Sequence, residues 1–306
     1  MSRTPPLRIG TRGSPLALWQ AHHVIGLLRA AIPELPVELV EIQTAGDQVR
    51  DVPLVQLGGE GAFTKAIQQA LLEDRIDVAV HSLKDLPTFL VPGLTLAAVP
   101  PRGPTGDALV SLKYPSFDAL PPGAIVATSS LRRKAQLLHR RPDLKLVDIR
   151  GNVDTRLRKL AEPNLDATIL AEAGLHRLGL AERITEVLDA AWMLPAVGQG
   201  ALGIECRADD GPTRTVLEAI DHLSTHRAVL AERAMLRELG GGCHVPIGAR
   251  SEMATGTLTL RGVVLSPDGT RRIDAVGSGP TSDAEMLGLH VARQLRQQGA
   301  DELLAA

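Results

Sequence analysis

The sequence is poor in cysteine, in aromatic residues and in long apolar runs. Two cysteines in 306 residues cannot form a disulfide framework, and no Cys/His spacing resembles a zinc site, so we expect no metal centre and a reducing, cytoplasmic environment. Aromatic residues make up 2% of the chain and the net charge is −2, which argues against nucleic-acid binding. No apolar run approaches the roughly 20 residues that cross a bilayer, and the N-terminus lacks a basic stretch followed by an apolar core. We therefore expect a soluble globular protein that is neither exported nor inserted into a membrane.

Hydrophobic residues make up 44% of the chain. They occur in short apolar segments, typical of strands, that alternate with amphipathic segments, typical of helices. The first strand is predicted at residues 7–11, after which Ser14 and Pro15 fit the N-cap and the first position of a helix. Further strands are predicted at 37–44 and 76–83, with a helical segment between them. This alternation predicts an α/β lobe with a parallel sheet covered on both faces.

A second series of the same kind follows a Pro- and Gly-rich linker at residues 99–107. It consists of three strand–turn–helix segments, at 124–141, 144–162 and 166–180. Beyond a helix that starts near residue 222, alternating strands, a hairpin signal and a terminal helix from Ser282 predict a small α+β domain.

Six arginines lie just after predicted strands or in the turns that follow them: Arg12, Arg132, Arg133, Arg150, Arg156 and Arg177. Ligands of open α/β sheets bind beyond the carboxyl ends of the strands, and arginine is suited to bidentate binding of carboxylates. Together these positions indicate a cleft for a ligand with several acidic groups. Taken singly, each arginine fits a solvated position on a helix equally well.

The stretch "AVHSLKDLP" (79–87) places Lys84 and Asp85 at the end of a predicted strand. A carboxylate there, near cationic groups, can stabilise positive charge or relay protons. Asp85 also fits as the cap of a turn before Pro87, because aspartate is common in such turns. His81 in the same stretch fits best as a structural residue.

The two cysteines have different surroundings. Cys206 lies in an apolar segment and is best interpreted as structural, whereas Cys243 follows three glycines in "GGGCHVP". A phosphatase-type loop would need an arginine where this chain has Ala249, and the neighbouring His244 is poorly placed to activate the thiol. A thiol on an open, mobile loop is suited to permanent attachment of a bulky group.

Seven motifs, in order, are "IGTRGSPLALWQA", "AVHSLKDLP", "TSSLRR", "IRGNVDTRL", "AGLHRLGL", "LPAVGQGALGIECR" and "GGCHVPIG". From about residue 7 to its end, the chain thereby resembles the porphobilinogen deaminase (hydroxymethylbilane synthase) family. The resemblance implies an α/β fold of two periplasmic-binding-protein-like lobes with a central cleft, plus a small C-terminal α+β domain. Its implied domain boundaries are 1–100 with 200–218 for domain 1, 105–194 for domain 2 and 222–306 for domain 3.

The resemblance also implies the activity. Members of this family are transferases of porphyrin and heme biosynthesis that join four porphobilinogen molecules head to tail, with loss of ammonia, and release hydroxymethylbilane by hydrolysis. Their primer is a dipyrromethane cofactor, held by a thioether to the cysteine that matches Cys243. The implied partner is the small-molecule substrate porphobilinogen, and neither nucleic acid nor a membrane is expected as a partner. The protein is expected to be a monomer in the cytoplasm.

Residue roles follow from the same resemblance. Asp85 matches the catalytic aspartate. The residues that match the family's cofactor-binding positions are Ser82, Lys84, Thr128, Ser129, Arg132, Arg133 and Arg156. Those that match its substrate-binding positions are Arg12, Ser14, Gln20, Arg150 and Arg177. The stretch "LPAVGQG" is expected to act as a hinge between the lobes.

One loop departs from the family pattern. Gln56 and Glu60 stand where lysines are frequent and Ala66 stands where glutamate is usual, so only Phe63 is retained there as a lid residue. Two other classes of protein fit parts of the pattern: a non-enzymatic bilobal binding protein for small acidic ligands, and a cysteine-dependent hydrolase. The absence of an export signal and the glycine-loop cysteine argue against the first, and Ala249 argues against the second.

Overall fold

The chain divides into two units, Met1–Gly103 with Ala201–His226 and Pro104–Gly200 with Arg227–Ala306. The structure is a computed structural model that describes residues 5–43, 64–242 and 245–305. Five residues singled out in the sequence, Gln56, Glu60, Phe63, Cys243 and His244, lie outside these ranges. In the described part of the chain, no helix is long and apolar enough to span a membrane. The division into three domains stays a prediction.

The first unit is built on a five-stranded sheet with the order β2-β1-β3-β10-β4. Its strands are β1 (Leu7–Thr11), β2 (Val37–Glu41), β3 (Val78–Ser82), β4 (Leu94–Ala98) and β10 (Leu202–Arg207). Its helices are α1 (Pro15–Ala31), α2 (Lys65–Leu72) and α6 (Gly211–Glu218). Helix α1 begins as the sequence predicts, because the Ser14 hydroxyl accepts the backbone N–H of Ala17 and Pro15 occupies the first turn.

The second unit contains another five-stranded sheet, with the order β7-β6-β8-β5-β9. Its strands are β5 (Asp107–Val110), β6 (Ile125–Ala127), β7 (Lys145–Val147), β8 (Ala167–Ala171) and β9 (Glu186–Val187). Its helices are α3 (Leu131–Arg140), α4 (Val153–Lys159) and α5 (Glu172–Arg177). Helix α3 is capped by Ser130, whose hydroxyl accepts the N–H of Arg133.

The expectation of wholly parallel sheets is wrong for one strand in each unit. β10 runs antiparallel to β3 and β4, and β5 runs antiparallel to β8 and β9. Both strands enter their sheets from the connections between the units instead of through a helical crossover, so nothing requires them to run parallel. The two sheets consequently share one topology: the antiparallel strand lies between the third and the fourth of the four parallel strands, counted in chain order.

The rest of the second unit is an antiparallel sheet of β11 (Ile247–Ala254), β12 (Thr257–Leu265) and β13 (Arg272–Pro280). Its helices are α7 (Leu223–Glu238), whose first four residues belong to the first unit, α8 (Ala284–Gln297) and α9 (Ala300–Ala305). The β12–β13 hairpin turn contacts α3 at Gly269, where an added Cβ would lie 2.6 Å from the Ala135 carbonyl oxygen. Two lobes with α/β sheets and a C-terminal part with an antiparallel sheet and helices confirm the predicted fold class.

Candidate functional site

The carboxyl edge of the first sheet brings together several of the predicted site residues. β1 and β3 are parallel, so Arg12 after β1 and Ser82 at the end of β3 lie at the same edge. Gln20 of α1 reaches this edge, because its side-chain amide donates to the Ser82 hydroxyl at 2.8 Å. Arg12 and Ser14 are half-buried. Their roles in binding stay predictions.

Asp85 is the last residue of a 3₁₀ turn, Leu83–Asp85, that directly continues β3. The backbone N–H of Leu83 donates to the carbonyl of Ala201 at 3.0 Å, which fastens the turn to the segment leading into β10. The Leu83 and Leu86 side chains are buried, whereas Lys84 is half-buried and Asp85 is exposed. No hydrogen bond reaches the Asp85 carboxylate from any described residue, so it is not the cap of this turn.

A close approach between the turn and β10 holds the leucines in place. A Cβ added to Gly203 would lie 2.7 Å from Leu83 Cδ1 and 3.6 Å from Leu86 Cδ2. The first distance is too short for a Cβ unless the Leu83 side chain moves, whereas the second is an ordinary contact. The turn therefore rests on β10 through two buried side chains, and the carboxylate between them projects outward.

The carboxyl edge of the second sheet carries hydroxyl groups that join neighbouring loops. β6 and β7 are parallel, and the loop after β6 contains Thr128 and Ser129. The Ser129 hydroxyl donates to the carbonyl of Ile149 at 2.8 Å and accepts its N–H at 3.1 Å. The buried Thr128 hydroxyl accepts the N–H of Ser130 at 3.3 Å. These bonds fix the entry to α3 beside the loop that carries Arg150, an exposed residue.

Arg156 and Arg177 are half-buried and donate to backbone carbonyls. The Arg156 Nε group donates to Gly151 at 2.8 Å, and Arg177 Nη2 donates to Gly200 at 2.6 Å. Burial lowers the pKa of Arg177 to about 10. Because this pKa still lies well above neutrality, Arg177 retains its positive charge and can attract a carboxylate.

Arg132 and Arg133 are buried and share one carboxylate, Asp107, which is 0% exposed. Arg132 Nη1 lies 2.6 Å from Asp107 Oδ2, and Arg133 Nη2 lies 2.7 Å from Oδ1. Burial acts to raise the pKa of Asp107, but the two guanidinium charges outweigh it and hold this pKa well below its usual range. The group of three keeps one net positive charge.

Further bonds connect this group to neighbouring backbone. Arg132 Nη1 also donates to the carbonyl of Leu194 at 2.6 Å, and Arg133 Nη1 donates to that of Ile169 at 2.9 Å. The buried Gln199 amide donates to Asp107 at 3.0 Å and to the Thr105 carbonyl at 2.7 Å. Each guanidinium has five N–H groups, which is more than these contacts use.

Sequence reasoning did not single out Asp107 and Gln199. Asp107 ends the stretch interpreted as a linker, where an aspartate before apolar residues is unremarkable in sequence. Its importance comes from two arginines some 25 residues further on, and this pairing is visible only in the folded chain.

The remaining predicted residues are placed as follows. Ala66 is half-buried in the first turn of α2. Cys206 is buried in β10, and burial raises its pKa to about 11, which suits a structural and unreactive thiol. Among the described residues, the edge of the first sheet brings together Arg12, Gln20 and Ser82, and the edge of the second carries Thr128 and Ser129. The meeting of the two groups in one cleft stays a prediction.

Two family models match the chain. Residues 7–215 match "Porphobilinogen deaminase, dipyromethane cofactor binding domain", and residues 226–297 match "Porphobilinogen deaminase, C-terminal domain". The chain is 52% identical over 299 residues to a porphobilinogen deaminase of Geobacter metallireducens. The aligned residues cover 98% of this chain and 94% of that protein. It is also 52% identical over 300 residues to one of Syntrophotalea carbinolica, at 98% and 95% coverage.

The solved structures to which the chain is similar are much more distant in sequence. The methionine-binding protein MetQ has 16% identity and a TM-score of 0.46, over 70% of this chain and 89% of that one. A periplasmic substrate-binding protein of an ABC transporter from Coxiella burnetii has 14% identity and a TM-score of 0.45, over 73% and 96%.

Proposed function

Because the chain belongs to the porphobilinogen deaminase family, we propose that it is the transferase that joins four porphobilinogen molecules head to tail and releases hydroxymethylbilane by hydrolysis. The observation that carries this function is the 52% identity to curated porphobilinogen deaminases over 98% of the chain. The match includes both the cofactor-binding and the C-terminal family domains, so a non-enzymatic binding protein is not favoured. The enzyme belongs to tetrapyrrole biosynthesis.

The family's dipyrromethane, when bound, supplies the primer to which the substrate units are joined with loss of ammonia. Its pyrrole rings carry acetate and propionate groups, which require cationic or hydroxyl partners. The edge of the first sheet offers Ser82 and Lys84. The edge of the second sheet offers Thr128, Ser129, Arg156 and the remaining N–H donors of Arg132 and Arg133. This donor set fits a ligand with several carboxylates.

Cys243, which lies outside the described residues, is proposed as the attachment point of the cofactor. The proposal rests on its place in the "GGCHVPIG" motif and on the absence of another suitable thiol, since the second cysteine, Cys206, is buried. A thioether leaves the sulfur bonded through every cycle of addition and release. The residue consequently acts as a tether and not as a nucleophile in turnover.

Asp85 is proposed as the catalytic residue, because it is an exposed carboxylate held on a fixed turn. It can accept hydrogen bonds from pyrrole N–H groups, offset developing positive charge and take up a proton. The proposed substrate-binding residues at the sheet edges are Arg12, Ser14, Gln20, Arg150 and Arg177. Phe63 remains the proposed lid residue, and we further propose that the enzyme acts as a monomer in the cytoplasm.

Intact mass spectrometry of protein made in cells supplied with porphobilinogen tests the tether. The expected wild-type mass exceeds the chain mass by two linked pyrrole units, and Cys243→Ser is expected at its bare mass. Cys206→Ala is the matched control, because it removes the other thiol and is expected to retain the addition. Wild-type protein at its bare mass, or a Cys243→Ser chain that keeps the addition, would contradict the proposed attachment.

A further inference from the structure

Behind the Asp85 turn, the first unit buries a group of polar side chains that has no assigned role. It consists of Glu205 on β10, His81 on β3 and Gln68 on α2, which are 1%, 5% and 5% exposed. The Gln68 amide donates to the two Glu205 oxygens at 3.3 and 3.0 Å. His81 Nε2 lies 3.1 Å from Glu205 Oε2, though not along the direction of an aligned hydrogen bond.

A buried carboxylate requires compensation. Removing an ionised carboxylate from water is strongly unfavourable unless a positive charge or several hydrogen-bond donors replace the solvent. Among the described residues, the Gln68 amide donates to the Glu205 carboxylate, and the His81 ring is the other polar side chain in contact with it. The three side chains therefore form one unit, in which Glu205 depends on both neighbours.

The pairing of β3 with β10 places this group next to the Asp85 turn. His81 is opposite Gly203 in the antiparallel ladder, and Gly203 is the residue on which Leu83 and Leu86 rest. Glu205 lies two residues further along β10. A shift of His81 relative to β10 would thus be transmitted through Ser82 to the turn that carries the carboxylate.

We propose that His81, Glu205 and Gln68 are positioning residues that hold the end of β3, and with it Asp85, in the orientation that the reaction requires. This inference rests on the proposed function. None of the three side chains needs to contact substrate, because the effect passes along the backbone from His81 to Asp85. The three residues thereby fix the position of the Asp85 carboxylate, and a small displacement of a catalytic group reduces the rate strongly.

The opposite end of β3 offers a matched control. Asp77, which precedes β3, is also buried and pairs with Arg8 at 2.8 Å and with Arg207 of β10 at 3.1 Å. It belongs to the same pair of strands but lies at the end remote from Asp85. A loss of charge pairing at Asp77 should weaken the unit without moving the turn.

The experiment compares Glu205→Gln with Asp77→Asn. Turnover of porphobilinogen is measured on the fraction of each protein that carries the cofactor mass, together with the melting temperature. For Glu205→Gln we expect kcat to fall about tenfold or more and KM to change less than about twofold. For Asp77→Asn we expect a lower melting temperature with kcat within about twofold of wild type.

A double-mutant cycle separates positioning from a general loss of stability. His81→Gln is combined with Glu205→Gln, and the double variant is expected to lose less activity than the product of the single losses, because both changes break the same contact between the two side chains. If Glu205→Gln does not fold, Gln68→Met takes its place, since it keeps both His81 and Glu205. A kcat loss above about twofold then supports the inference, and a smaller change overturns it.

The outcomes distinguish the two proposals. Wild-type protein without porphobilinogen turnover overturns the proposed function itself. Active wild-type protein with a Glu205→Gln kcat within about twofold overturns only the positioning role, as does an equal kcat loss in Asp77→Asn. Strictly multiplicative losses in the double-mutant cycle also overturn it.

Discussion

At the scale of single residues, the turn after β3 combines buried side chains, which hold it in place, with one exposed carboxylate, which is proposed to be catalytic. Leu83 and Leu86 are 1% and 4% exposed and fix the turn, while Asp85 between them is exposed. The sequence identified Asp85 as a candidate but left its role as a turn cap open. The absence of any hydrogen bond to its carboxylate from the described residues removes that alternative.

Asp85→Asn is expected to reduce turnover at least about a hundredfold while the covalent cofactor remains attached, because the amide cannot take up a proton or offset positive charge. Since Asp85 is exposed and supports no described contact, its melting temperature should match that of wild type. Asp209→Asn, at another exposed aspartate of the first unit, is the control and should retain turnover. Steady-state kinetics with intact mass spectrometry make the comparison. Near-normal turnover of Asp85→Asn would remove the residue from its catalytic role.

At the scale of elements, the segment 194–200 is anchored within the second unit at several points. The Leu194 carbonyl accepts from Arg132 and from Gln136, at 2.6 and 3.0 Å. The Pro195 carbonyl accepts the N–H of Ala249 from β11, and the Gly198 N–H donates to the buried Glu232 carboxylate. The segment thus joins α3, α7 and β11 through its backbone. Its Pro- and Gly-rich composition predicted a hinge, a role that stays a prediction.

Asp107 supplies the negative charge that pairs with the buried Arg132 and Arg133. Asp107→Asn leaves Arg132 and Arg133 buried without their counter-ion, and breaking a buried pair in this way typically destabilises by about 3 kcal/mol or more. Asp143→Asn is the matched control, because Asp143 also pairs with an arginine of the second unit, Arg141, but lies at the surface. Its denaturation midpoint should equal that of wild type. Urea unfolding of both variants makes the measurement, and equal midpoints for the two would contradict the importance of Asp107.

At the scale of the whole molecule, two sheets of the same topology were recognisable from the sequence, but their antiparallel strands were not. The helix start at Ser14 could be predicted because capping depends on neighbouring residues. β4 and β5 were missed, because they are short segments beside Pro- and Gly-rich stretches. Their strand character depends on pairing with chain that is distant in sequence.

In the candidate site, too, some residues could be predicted from the sequence and others could not. The motifs identified Asp85 and the edge arginines, because those residue types follow strand ends. They could not identify Glu205 or Asp107, which acquire their roles from partners 124 and 25 residues away. A carboxylate in a strand carries no local signal of whether a cation lies opposite it.

The first unit also contains a carboxylate that should make the molecule sensitive to acid. Burial acts to raise the pKa of Asp77, but hydrogen bonds from Arg8 and Arg207 outweigh it and lower this pKa to about 2. A carboxylate whose pKa is lower in the folded state than in the unfolded state stabilises the fold above its unfolded pKa, near 4. That contribution is lost as the pH falls from about 4 through about 2.

Asp77→Asn is therefore expected to lower the free energy of unfolding by about 2 kcal/mol at neutral pH, and the deficit should shrink as the pH falls from about 4 to about 2. Asp74→Asn is the control, because Asp74 contacts the same arginines, Arg8 and Arg207, but its side chain is 71% exposed. Solvent screens that pair, so its removal should change stability little at any pH. Thermal unfolding of the three proteins across this pH range makes the measurement. If the deficit of Asp77→Asn stays constant down to about pH 2, the ion pair is not its source, because protonation of the wild-type carboxylate must remove the difference.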